Sequence, residues 1–272
     1  MSASQDLQMF GQKFQPSWFF PSSGHLEAVS RLVYLVESRE PAGVLCGPDG
    51  SGRTRVLERV CQELRHSGQQ TISLNLAGLD DDAALWQLAG RLSSSVRSSM
   101  RRHELLAVLR EELSGRVQCG LHTTVVLDDL HRAELNHGTF LRFLISSAST
   151  GSCPVSVLAA LWGPIPEELS GHVYVPVRLD RFNGAESQVF VRELLRRLGI
   201  APGQVEEAAV EAVSEAGRGL VARLRQICEI VQVFSEAWPE AVITEDIVRS
   251  LMTEIAPLSD ESVHPRRTIR MA

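Results

Sequence analysis

The sequence predicts an α/β fold: a mostly parallel, doubly wound sheet flanked by helices, followed by a small helical unit. Three observations predict it. Short apolar, β-branched runs alternate with helical segments from residue 22 to about residue 182, and strand signals nearly stop after that. The first of these runs passes directly into a glycine-rich turn, Gly47 to Thr54, that opens a helix. A later run, "TTVVLDDL", ends in the paired acids Asp128 and Asp129.

The elements follow in order. An aromatic cluster, Phe14, Trp18, Phe19 and Phe20, precedes Ser22 and Ser23, which offer a helix cap before "HLEAVSRLVYLVESRE". There Leu26, Val29, Leu32, Val33 and Val36 recur at helical spacing. The strand "AGVLC" enters the glycine turn, and "RTRVLERVCQELRHSG" is helical, with Val56, Leu57, Val60, Cys61 and Leu64 on one face and Gly68 as its stop. "TISLNLAG" reads as a strand, and "DDDAALWQLAGRLSS" and "RRHELLAVLREELSG" as helices divided by the serine-rich "SSSVRSS". "HTTVVLDDL" is a strand, "LNHGTFLRFLISSAS" a helix, and "CPVSVLAAL" and "HVYVPVRL" the remaining strands. "GAESQVFVRELLRRLG", "GQVEEAAVEAVSEAG", "LVARLRQICEIVQVFSEAW" and "TEDIVRSLMTE" then read as helices. The predicted division is an N-terminal segment (1–21), a nucleotide-binding α/β domain (22–182), a helical lid (183–256) and a mobile tail (257–272).

Composition bounds the function classes. At 272 residues, a main domain with a smaller one is the natural expectation. Apolar runs fall short of a membrane span and the start lacks a secretory pattern, so a cytoplasmic protein without membrane insertion is expected. Five scattered cysteines with no C-x-x-C pair fit reduced, mostly buried thiols. A net charge of −6 argues against a surface that attracts nucleic acid throughout. Lys13 is the only lysine, so the chain shows a general shift from lysine to arginine.

The chemistry concentrates in Gly47-Pro48-Asp49-Gly50-Ser51-Gly52-Arg53-Thr54-Arg55. In a phosphate-binding loop, glycines let backbone N–H groups wrap the phosphates and the next helix presents its positive end. Arg53 stands where such loops carry lysine, and the Thr54 hydroxyl would ligate magnesium. In "VVLDDL", Asp128 would join Thr54 around the Mg2+ and Asp129 would face the attacking water, with ATP as the nucleotide. Arg53, Asp128 and Asp129 are therefore the candidate catalytic residues.

From Phe14 to Met252 the chain resembles an AAA+ P-loop ATPase of the ExeA/GspA type, related to the transposition ATPases MuB and TniB. The resemblance rests on "FQPSWFFPSSGHLEAVSRLVYLVE", on the glycine loop with "VVLDDLHRAE", and on "GRGLVARLRQICEIV", which is similar to the family's lid helix. It implies ATP or ADP as ligand, self-assembly, and a protein partner of a secretion or envelope system.

The departures from the family fall on the chemistry. Arginine at position 53 replaces the compact lysine, and Asp129 is one methylene shorter than the family's glutamate. Val221 and Ala222 stand at the lid's proline and arginine, with Arg223 one position late and therefore turned by about 100 degrees. His172 takes the place of the arginine finger, leaving Arg178 or Arg181 as stand-ins. "LWGPIPEEL" lacks the polar residue after the fourth strand, so Pro164 positions no water and Trp162 is read as structural. Three readings follow: a nucleotide-dependent switch with weak or absent hydrolysis, a non-catalytic scaffold, and a DNA-associated ATPase using Arg101, Arg102, Arg266, Arg267 and Arg270. The acidic balance favours solvated charges over phosphate contacts for those five arginines.

Overall fold

The computed structural model describes residues 18–135, 138–149, 155–173 and 175–254. Helix α1 (Ser23–Glu37) precedes β1 (Ala42–Cys46), α2 (Arg53–His66) and β2 (Gln70–Asn75). Helices α3 (Asp81–Leu92) and α4 (Arg102–Gln118) lead to β3 (Thr123–Asp128), a 3-10 turn (Leu130–Arg132) and α5 (Thr139–Ser149). Then come β4 (Val155–Leu161), the short α6 (Glu167–Ser170) and β5 (Val177–Arg178). The C-terminal helices are α7 (Gly184–Arg197), α8 (Glu207–Gly217), α9 (Val221–Ala237) and α10 (Glu245–Glu254).

The five strands form one sheet in the order β2-β3-β4-β1-β5, and every pairing among them is parallel. Parallel strands need crossovers, and buried sheet faces need cover; the helices provide both. Alternate strand residues point to opposite faces. Val44, Val125, Leu127, Val157 and Ala159 pack with Leu85, Leu88, Leu109, Phe140 and Leu144 on one face. Leu45, Val126, Leu158 and Ala160 pack with Val29, Leu32, Val56 and Val60 of α1 and α2 on the other.

Local chemistry sets the helix starts. The Ser22 hydroxyl accepts from the His25 N–H at the head of α1, and the Asp80 carboxylate from the Ala83 N–H at the head of α3. Asn183 and Glu186 form a reciprocal capping box at α7. A third apolar cluster, including Phe190, Val191, Leu194, Val213, Leu224, Ile227 and Val248, unites α7 to α10. Trp18 stacks on Phe190 at 5.4 Å between centroids, Phe20 meets Phe190 edge-on at 5.2 Å, and the Arg197 guanidinium lies 4.9 Å over the Trp18 ring. The aromatic segment thereby joins the C-terminal helices to the start of α1. Phe14, like the tail residues Arg266, Arg267 and Arg270, lies outside the described residues.

Three expectations need correction, on a strand, a helix start and Trp162. Among its described residues, the segment read as one strand, "HVYVPVRL", pairs in the sheet only at Val177 and Arg178, with an isolated bridge from Val173 to Ala42. Pro176 between them has no N–H to donate to a ladder. The helix expected from Leu135 begins at Thr139, after Gly138 at φ 59°. Trp162 is 42% exposed and takes no place in the core. Cys119 is exposed, whereas Cys61 and Cys228 are buried; all four described cysteines are free thiols.

Candidate nucleotide site

Strands β1 and β3 deliver their C-terminal ends to the same side of the sheet, where ligands of open α/β sheets collect. After Cys46 the chain turns through the glycine loop into α2. Gly47 leaves no room for a side chain, because a Cβ there would lie 2.6 Å from the Leu179 carbonyl oxygen. Gly52 has φ 100° and caps α2, and His25 packs against the side where a Cβ would stand.

The two motifs meet here. The Thr54 hydroxyl donates to Asp128 Oδ2 at 2.7 Å, so a residue of α2 and the last residue of β3 present oxygens to one point. Asp128 is buried, and its Oδ1 accepts the Asp129 N–H at 2.9 Å. Asp129 follows with a left-handed backbone, φ 52°. Its carboxylate accepts from Asn75 Nδ2 at 3.2 Å and lies 3.6 Å from Arg53 Nη2.

Arg53 turns back into the loop. Its guanidinium donates to the Gly47 carbonyl through Nη1 and to Asp49 Oδ1 at 2.7 Å through Nη2, and the side chain is only 6% exposed. Asp49 also accepts from His131 Nε2 at 3.1 Å and Arg132 Nη2 at 2.6 Å. Ser51 O accepts from His25 Nε2 at 3.1 Å, while Ser22 Oγ sits 2.7 Å from His25 Nδ1. Burial pulls the His25 pKa below its ordinary value of 6.5, against the opposing Ser51 carbonyl and Glu186 charge, so the ring is a neutral strut beneath the loop.

A cavity of ≈ 420 Å³ opens above these groups, lined by Asp49, Gly50, Gly52, Arg53, Thr54 and Arg55, by Asp129 and Arg132, and by α9. The α9 residues are Val221, Ala222, Arg225, Gln226 and Glu229. The Ala222 N–H donates to the Gly50 carbonyl at 3.0 Å, tying that helix to the loop. A smaller apolar recess of ≈ 40 Å³ adjoins, between Trp18, Phe19, Phe20, Phe182 and Phe190 and Arg55 and Arg225. Pro48 stays at the loop's entry, its carbonyl accepting from the Ser51 N–H at 3.1 Å.

Of the residues expected from sequence, the loop from Asp49 to Arg55, Asp128 and Asp129 come together. Arg223 does not line the cavity; Arg225, two positions on, does, with its Nε 2.7 Å from Glu229 Oε1. Arg178 is exposed and lines a separate groove between α1 and β5. Arg102 pairs with Asp82 at 2.5 Å. Sequence reasoning missed Arg132, His131 and Asn75, whose placement depends on how β2 and the turn after β3 approach the loop. The one available signal was a pair of bases, His131 and Arg132, one residue beyond the strand-end acids. Among the described residues, no cluster of three or more His, Cys, Asp or Glu could hold a metal. No described helix is long and apolar enough to cross a membrane.

The fold is that of the AAA+ P-loop NTPase structures. Residues 36–160 match the family model described as an AAA domain. Among curated proteins none matches the chain. Solved structures extend the likeness to the C-terminal helices. The origin recognition complex of Drosophila bound to DNA matches with a TM-score of 0.68 at 14% identity, over 93% of this chain and 74% of that one. The Cdc6p protein of Pyrobaculum aerophilum gives 0.67 at 16%, over 89% and 70%. The RuvB Holliday junction branch migration motor of Thermotoga maritima gives 0.60 at 16%, over 89% and 73%. At these identities the likeness is one of fold.

Proposed function

We propose that the chain binds ATP with Mg2+ in this cavity and works as a nucleotide-dependent switch or assembly factor with weak or absent hydrolysis. One observation carries the reading: the Thr54 hydroxyl and Asp128 carboxylate converge at 2.7 Å beside a glycine loop that opens α2. Two hard oxygens beside a phosphate cradle suit magnesium, which takes one or two protein oxygens together with nucleotide phosphates. When bound there, the ion would neutralise phosphate charge. The loop from Gly47 to Thr54 would hold the phosphates.

Weak hydrolysis is supported by where the catalytic candidates point. Asp129 accepts from Asn75 instead of standing clear for a water, and Arg53, bulkier than the family's lysine, holds Gly47 and Asp49 until a phosphate displaces them. Ala222 packs against Gly50, where the resemblance expects an arginine. Positioned waters and arginines supply large factors in phosphoryl transfer, so their loss together leaves little turnover. The resemblance to the ExeA/GspA type further implies a protein partner of a secretion or envelope system. The division into an α/β domain (22–182) and a helical lid (183–256) belongs to the same proposal.

A second reading, a scaffold that binds no nucleotide, draws on the same internal engagement of Arg53. Calorimetric titration separates the two. The switch reading expects ATP binding that strengthens with magnesium and loses that strengthening in Thr54→Ala. A flat titration at millimolar ATP leaves the scaffold reading in place.

A further inference from the structure

The mouth of the cavity carries an ion cluster centred on Asp49. One carboxylate oxygen takes Arg53 Nη2 at 2.7 Å and His131 Nε2 at 3.1 Å; the other takes Arg132 Nη2 at 2.6 Å. The donors come from two places, the first residue of α2 and the turn after β3. Asp49 itself belongs to the loop, between Pro48 and Gly50. Two guanidinium groups converging on one planar anion is the arrangement that arginines adopt around a phosphate. Burial pushes the Asp49 carboxyl up, but hydrogen bonds from Arg132 and Arg53 outweigh it and hold its pKa below the ordinary value. The cradle therefore contains a permanent anion. A phosphate entering it meets that charge and finds both arginines already engaged.

We propose that Asp49 is an internal counter-anion that competes with the terminal phosphates of a nucleoside polyphosphate, and that Arg132 joins Arg53 on those phosphates once Asp49 is displaced. The proposal rests on the nucleotide reading above. Arg132 is suited to the exchange: its side chain is 53% exposed, and it lines the cavity together with Asp49, Arg53 and Asp129. Arg225, on the α9 wall of the cavity, is held by Glu229 at 2.7 Å. Competition of this kind discriminates by charge. A triphosphate offers enough negative charge to take both arginines from one carboxylate, whereas a monophosphate does not. The loop thereby selects polyphosphates, and it stays closed on itself without them.

The test is calorimetric titration of ATP and of AMP, each with magnesium, into the full chain and its Asp49→Asn, Arg132→Gln and Arg132→Lys variants. Asp49→Asn is expected to bind ATP about tenfold more tightly and to narrow the preference for ATP over AMP. Asp49→Ser, which also removes the charge, is expected to move the same way. Arg132→Gln is expected to weaken ATP about tenfold with AMP unchanged, and Arg132→Lys to restore part of that loss. Thermal melts show that each variant is folded. If the natural chain binds ATP and neither Asp49 variant binds it more tightly, the counter-anion is overturned. Unchanged ATP affinity in Arg132→Gln overturns the role of Arg132. If neither the natural chain nor Asp49→Asn binds ATP at all, the nucleotide reading falls, and this proposal with it.

Discussion

Gly52 shows how much of the loop is decided by one residue. Its φ of 100° lies where L side chains are strained, and an added Cβ would stand 2.6 Å from His25 Nε2. His25 cannot yield easily, since both ring nitrogens are engaged, by Ser22 and by the Ser51 carbonyl. Gly52→Ala is therefore expected to lower stability by about 2–3 kcal/mol, backbone strain being the larger part. A thermal melt checks it; an unchanged Tm would mean that the loop relaxes freely. Arg53 next to it is the opposite case, a charge tolerated in a buried place because Gly47, Asp49 and Asp129 surround it. The lysine-to-arginine change is thus accommodated by the loop's own carbonyl and carboxylate.

Among the elements, Asp81 joins two helices. Its side chain is 3% exposed, and its Oδ1 accepts the Phe140 N–H at 2.8 Å near the start of α5. Asp80, its neighbour, caps α3, so removing Asp81 leaves that helix start intact. Asp81→Ala orphans a buried N–H and is expected to cost about 1–3 kcal/mol, read as a lower urea midpoint. An unchanged midpoint would contradict the assigned contact. Periodicity made most elements legible. The β-branched runs of β1, β3 and β4, and the apolar stripe of α2, are local properties of the chain. The region of β5 misled because its composition is that of a strand while Pro176 interrupts its pairing. Within the site, glycine loop and strand-end acids could be read because short motifs encode them. Arg132, His131, Asn75 and Arg225 could not, since they reach the cavity through sheet order and through the docking of α9 on the loop.

At the scale of the molecule, the cavity has three walls from distant parts of the chain: the loop, the turn after β3, and α9. The hydrogen bond from Ala222 N–H to Gly50 O and the aromatic contacts of Trp18 and Phe20 link the C-terminal helices to the glycine loop and the start of α1. A ligand there would touch all three walls, so its presence would bias how α9 sits on the loop. That is the physical content of a switch, a differential interaction of the ligand with two arrangements. Sustained turnover is a separate requirement, and the engagement of Asp129 by Asn75 speaks against it. The most direct test measures retained nucleotide and released phosphate on the same sample at saturating ATP and magnesium. The account predicts stoichiometric retention of ATP with phosphate release below ~10⁻² s⁻¹, the order of slow nucleotide hydrolases that hold their arginine in cis. Release at ~1 s⁻¹ or faster, in the range of working phosphoryl-transfer enzymes, would contradict it.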